Sequence, residues 1–236
     1  MSATELGYGL AAALANVIGA LAVTSGRRWS VEALDRTLAF AAGFLISVAF
    51  VELMPEAVAR AGRTGAAVAL GAYLLVHVTQ HSIGRHFHFG EERHSVSRLT
   101  GATALAGLML HTFVDGVAVA SGLLVSGSVG ALVFVGVLLH KFPEGLAISS
   151  LFVAAGASKR AAIGAAASLG AATMVGVAFT DQVAALKEYG LAISAGVTLY
   201  VGASNLVPEL QKRGGLGTPI SFLAGCGVYA AARALL

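Results

Sequence analysis

The sequence predicts an all-α integral membrane protein of eight transmembrane helices, and three observations carry that prediction. Only 11% of its 236 residues are charged, against about 25% in a typical soluble domain. The hydrophobic residues, 57% of the chain, gather into runs close to the ~20 residues that cross ~30 Å of hydrocarbon, and the mean hydropathy is +0.82. Thirty glycines stand against four prolines, a balance that suits close helix packing in a bilayer rather than disorder.

The apolar runs span residues 5–26, 35–58, 64–84, 101–124, 128–153, 160–181, 187–209 and 216–236. Connections are short, so the chain reads as one transmembrane domain, 1–236. Acidic Glu5 and no basic segment precede the first run, which reads as a retained helix rather than a cleavable signal. The single cysteine, Cys226, excludes a disulfide framework within the chain and a thiolate-rich metal site. Loops after odd-numbered helices hold Arg27, Arg28, Arg36, Arg85, Arg93, Arg98, Lys159, Arg160, Lys212 and Arg213; the other side holds Arg60, Arg63, Lys187 and Arg233. Basic residues stay in the cytoplasm. Both termini are therefore expected outside and the third loop inside; the cell (inner) membrane is the expected location, which the charge pattern does not itself decide.

The second and seventh runs repeat one another. "AGFLISVAFVELMPE", 42–56, aligns without gaps on "AGVTLYVGASNLVPE", 195–209. An odd number of crossings separates them, so the copies point in opposite directions. Inverted repeats of this kind let transporters alternate around a midplane site. The plainer alternative is that Pro-Glu simply ends two similar helices.

The fourth and fifth runs carry the chemistry. In "HTFVD" His111 and Asp115 are four residues apart, and in "HKFPE" so are His140 and Glu144; each pair therefore shares a helical face. An acid at mid-span costs about 2.5–3.5 kcal/mol on insertion scales and needs a partner or a cavity. Two imidazoles and two carboxylates suit zinc, iron, manganese, cobalt or cadmium, whereas Cu(I) would want sulfur. The alternative is a polar cluster that glues two helices together. Pro143 withholds a hydrogen bond from the Leu139 carbonyl and points to a break in the helix. Gly116 and Gly145, each following an acid, allow close approach of a neighbouring helix.

With these residues the chain resembles a bacterial-type member of the ZIP (Zrt/Irt-like) family of divalent metal transporters. The family's fourth-helix motif, His-Asn/Ser/Thr-x-x-Asp/Glu-Gly, is matched by His111, Thr112, Asp115 and Gly116. Its fifth-helix motif, His-x-x-Pro-Glu-Gly, is matched by His140, Pro143, Glu144 and Gly145. "FVELMPEA" in the second run resembles the family's Phe-x-(His/Glu)-Leu-x-Pro-Glu segment. The resemblance implies a 3+2+3 helical arrangement with an inverted repeat, zinc as the first candidate cargo, movement towards the cytoplasm, and a homodimer. The expected partners are the divalent ion and the lipid bilayer, with no nucleic acid and no cofactor beyond the transported metal.

Three departures bear on a second metal. Members with two metals place an acid where this chain has Lys141, often Asn where it has Thr112, and in some a helix-six Glu near Thr173. The ammonium of Lys141 would replace the second ion, leaving a one-metal centre; the alternative is that Lys141 points to a different helix interface. Ser47, Phe50, Glu52, Tyr200 and Asn205 are the repeat residues best able to line a path. Glu52 and Glu56 lie one turn apart, and Glu209 answers Glu56 in the repeat. In the third loop His81, His86, His88 and His94, with His77 one turn before His81, either capture metal weakly or sit on a solvated loop. A membrane-embedded metallohydrolase is the rival reading; it would need an open coordination position, an activated water and a base. If the loop only supports transport, replacing His86, His88 and His94 with serine changes apparent affinity or regulation and leaves uptake into proteoliposomes intact.

Overall fold

The computed structural model describes residues 2–25, 30–83, 98–207 and 215–235, and every regular element among them is helical. The helices are α1 (Ala3–Thr24), α2 (Val31–Val48), α3 (Met54–Ile83), α4 (Arg98–Val125), α5 (Gly127–Ala154), α6 (Lys159–Thr180), α7 (Ala184–Leu199) and α8 (Gly217–Leu235). Serines start several of them. Ser2, Ser30, Ser126 and Ser158 accept hydrogen bonds from the backbone N–H groups of Glu5, Ala33, Val129 and Ala161, satisfying donors that a helix start leaves free. At α1 the Glu5 carboxylate also accepts from the Ser2 backbone N–H, completing a capping box.

Five helical stretches are long and apolar enough to cross a membrane: Ala3–Thr24, Asp35–Thr79, Gly101–Val125, Gly127–Ala154 and Lys159–Thr180. The second contains 45 residues, and a straight helix of that length would reach about 68 Å, more than twice the hydrocarbon core. Gly62 breaks it. Its φ of 54° and ψ of −135° lie where only glycine is at ease. An added Cβ on Gly65 would lie 2.2 Å from the Ala57 carbonyl oxygen, so the chain doubles back there. This break falls between the expected runs 35–58 and 64–84.

Two features of the backbone were not expected. Between α2 and α3, Ala49–Leu53 winds as a π-helix, and α7 continues into a second π segment, Tyr200–Leu206. They fall at corresponding places in the two copies of the repeat. Conversely, the break anticipated at Pro143 does not occur. Pro143 sits inside α5, which runs on from Gly127 to Ala154, its neighbours packing tightly enough to hold the helix through the lost hydrogen bond.

Large apolar side chains cover the outer helix faces while several polar ones lie in the otherwise apolar interior. On α1 Leu10, Leu14, Ile18 and Leu21 are exposed, as are Leu70, Leu74 and Val78 on α3 and Ile220, Leu223 and Val228 on α8. Asn16, Thr112, His140, Lys141, Glu144 and Thr173 are buried. A protein surrounded by water sorts these the other way, and so wide an apolar surface suits lipid.

Helix contacts come in matching pairs. α1 packs on α5 as α6 packs on α4; α2 packs on α8 as α7 packs on α3; α2 touches α5 as α7 touches α4. Exchanging α1 with α6, α2 with α7, α3 with α8 and α4 with α5 thus maps one set onto the other. Four glycines make two of these crossings nearly superimposable. An added Cβ on Gly145 would meet the Asn16 carbonyl oxygen at 2.0 Å, and one on Gly19 would meet that of Phe142 at 2.3 Å. The counterparts are Gly116 against the Thr173 oxygen and Gly176 against the Phe113 oxygen, each 2.0 Å. Backbone therefore packs on backbone at both places, a contact that only glycine allows. No side chain can move aside to relieve it. Gly176→Ala should lower stability by about 1–3 kcal/mol, whereas Gly164→Ala, with nothing within 4 Å of its added Cβ in the same helix, should not; thermal unfolding of the purified protein in detergent compares the two.

Candidate metal centre

The α4–α6 and α5–α1 crossings fix where α4 and α5 face each other, and there the two histidine–acid pairs meet. His111, Asp115, His140 and Glu144 each direct a ligand atom into a region where all four lie within 4.8 Å of one another. All are buried, at 4–7% exposure. Asp115 is the hub: its Oδ2 lies 3.3 Å from His111 Nε2, 3.2 Å from His140 Nε2 and 2.6 Å from Lys141 Nζ. The rings of His111 and His140 are 5.6 Å apart between centroids.

Lys141 is fully buried and bridges the two acids, donating to Glu144 Oε2 at 2.8 Å as well as to Asp115. With neutral imidazoles the cluster carries one net negative charge. Two carboxylates about 5 Å apart in an effective dielectric of ~20 repel by about 3 kcal/mol; the ammonium between them offsets this.

The tautomer of His140 follows from its other contact. Its Nδ1 lies 2.9 Å from the Gly136 carbonyl oxygen, which can only accept, so Nδ1 carries the proton. Its Nε2 faces the Asp115 carboxylate oxygen 3.2 Å away, a contact made attractive by a proton on Nε2 or by a cation between the two atoms. The Gly136 carbonyl orients the His140 ring, the role that an outer hydrogen-bond partner plays for an imidazole that ligates a metal. Glu144 Oε1 and His111 Nδ1 are buried without a hydrogen-bond partner among the described residues. Tetrahedral zinc binds nitrogen and oxygen at about 2.0–2.2 Å, so taking up an ion requires the four ligand atoms to draw closer and Lys141 to release at least one oxygen.

The remaining sequence candidates are dispersed. Thr112 and Thr173 are buried, but each hydroxyl donates to a carbonyl of its own helix, those of Met109 and Leu169. Ser47 does likewise, to Gly43 at 2.8 Å. Phe50 is 60% exposed. Glu52 accepts from Tyr229 Oη at 2.6 Å and pairs with Arg233 Nε at 2.6 Å, both on α8. Glu56 pairs with Arg60 at 2.9 Å. Tyr200 is buried against the rings of Tyr73 and His77 on α3. The side chains of His81 and Asn205, and all of His86, His88, His94 and Glu209, lie outside the described residues. Sequence reasoning missed the Gly136 carbonyl, four residues before His140, and the α8 partners of Glu52. For the first the i−4 spacing was a usable signal; the second depends on tertiary contact alone.

Among known proteins, the ZIP Zinc transporter family model matches residues 76–232, a stretch that runs from α3 into α8 and includes both motif pairs. Comparison with curated proteins gives no match.

Removing one partner of a buried ion pair costs about 3–5 kcal/mol. Lys141→Met should therefore lower the thermal midpoint of the metal-free protein, and added zinc should raise that midpoint more than it does in the unmodified protein; unfolding in detergent with and without zinc measures both shifts.

Proposed function

The chain belongs to the ZIP zinc transporter family, and from that premise we propose that it carries a divalent transition metal, zinc first, across the cell membrane towards the cytoplasm. The observation that carries this reading is the convergence of four buried ligand atoms from α4 and α5 within 4.8 Å. His111, Asp115, His140 and Glu144 receive the ion. Lys141 keeps the empty site compensated and returns to the carboxylates as the ion leaves, so binding and release are an exchange between two cations. One metal per chain follows, because the Lys141 ammonium and Thr173 stand where two-metal members carry acids, and Thr112 stands where they often carry Asn.

The paired helix contacts support a 3+2+3 arrangement of eight crossings, with a pseudo-twofold axis in the membrane plane. Both termini lie outside, and a homodimer in the inner membrane belongs to the same reading. α1, α4, α5 and α6 pack closely among themselves, while the pairs α2–α8 and α3–α7 are joined through the π segments Ala49–Leu53 and Tyr200–Leu206 and make up the second group. Shifting one group on the other would open the site first to one side and then to the other, as inverted repeats permit. Ser47, Phe50, Glu52, Tyr200 and Asn205 sit on the repeat helices that would slide past the site. The rival hydrolase needs a positioned base beside a metal-bound water. Here both acids are held by Lys141, and members of this family are transporters.

Proteoliposome uptake tests the proposal. Alanine at His111, Asp115, His140 or Glu144 should reduce saturable zinc uptake at least about tenfold, each ligand contact being worth ~1.4 kcal/mol or more, while leaving the protein folded. Normal uptake by the Asp115→Ala, Glu144→Ala double variant would overturn the site, and two tightly bound metals per chain by elemental analysis would overturn the one-metal reading.

A further inference from the structure

Asn16 has no part in the site described above, yet it is the most anomalous polar residue in the molecule. It is fully buried in the middle of α1. Neither its Oδ1 nor its Nδ2 has a hydrogen-bond partner among the described residues. A carboxamide offers two donors and an acceptor oxygen with two lone pairs, and burying it with none of them used is unfavourable. Native interiors rarely leave such a group without a purpose.

Its position is fixed by the glycine crossings. The Asn16 carbonyl oxygen and Cα are the nearest atoms to the space where a Gly145 side chain would be, at 2.0 and 2.8 Å. Gly145 directly follows Glu144, whose Oε1 is also buried and unpaired, while Lys141 occupies its Oε2. Exchanging the matched helices brings Asn16 onto Thr173, because Gly116 meets the Thr173 oxygen as Gly145 meets that of Asn16. Asn16 therefore stands to Glu144 as Thr173 stands to Asp115. Thr173, however, has spent its hydroxyl on Leu169. Of the two symmetry-related positions, the one on α1 keeps a polar group with no partner among the described residues.

We infer that Asn16 is a further ligand of the cargo ion, its carboxamide oxygen acting together with Glu144 Oε1; this rests on the transport reading above. An amide oxygen is a neutral donor and adds no charge to a cluster that already holds two acids and an ammonium. It lets the ion engage Glu144 through the oxygen that Lys141 does not hold. It also gives α1 a direct hold on the ion, so that α1 and α5 carry it together.

Zinc binding to the purified protein in detergent, by calorimetry, and its metal-free thermal midpoint test this. Asn16→Ala removes no side-chain hydrogen bond seen among the described residues, so the metal-free midpoint should change little, while zinc affinity falls about tenfold or more, as expected for loss of a polar contact to a charged group. Asn16→Asp keeps an oxygen and should retain binding. Zinc affinity within twofold of the unmodified protein in Asn16→Ala would overturn the inference, and so would a lowered metal-free midpoint with affinity kept, since that is the signature of a purely structural amide. His140→Ala separates the two levels of the argument. If it too binds zinc normally, the whole site falls; if it loses zinc while Asn16→Ala does not, only the role of Asn16 falls.

Discussion

Charge buried in an apolar surround is the constraint on which this structure turns. Asp115 and Glu144 lie in helices built mostly of small and apolar residues, and neither can be left ionised without a counter-charge. Lys141 supplies one, reaching both acids at 2.6 and 2.8 Å. On the transport proposed above, a divalent ion would compete for the same oxygens, so the ammonium would both compensate the empty site and ease release of the cargo. An apolar residue at 141 would favour the filled state alone.

That balance depends on α4 and α5 being held at fixed separation, and the glycine crossings do this. Where Gly145 lies on Asn16 and Gly116 on Thr173, backbones touch without side chains between them. Van der Waals packing of this kind drives association in lipid, where apolar burial gains nothing. Each acid is one residue from such a contact, so its reach is set by rigid backbone rather than by adaptable side chains. The π segments Ala49–Leu53 and Tyr200–Leu206 lie on the helices that flank this core. A π turn exchanges regular hydrogen bonding for a local widening and is often found where function needs it.

Outside the core the polar contacts are different in kind. Glu52, Tyr229 and Arg233 tie α2 to α8, and Tyr73 with Ser204 ties α3 to α7 at 2.5 Å. These are closures within one group of helices, and they leave the contacts of α2 with α5 and of α7 with α4 free of ion pairs among the described residues; between the groups Arg60 on α3 donates to the Leu124 carbonyl oxygen of α4 at 3.4 Å.

The sequence by itself determined the helical, lipid-facing character of the chain and the pairing of histidine with acid. Composition and run length are properties of the chain alone, and residues four apart on a helix share a face whatever surrounds them. The spacing in HTFVD and HKFPE thus made His111, Asp115, His140 and Glu144 legible before any contact was known, and the gapless match of 42–56 on 195–209 made the repeat legible too. What the sequence misjudged was local geometry under tertiary load: Pro143 reads as a break, yet packing carries α5 through it, and nothing in AFVEL or YVGASNL announces a π turn. Only the tertiary structure decided that Lys141 bridges both acids, that Gly136 sets the tautomer of His140, and that Asn16 is buried with its amide unused. Each of these is a relation between atoms on different turns or different helices, fixed by how closely two backbones approach, and a one-dimensional pattern holds no record of that distance.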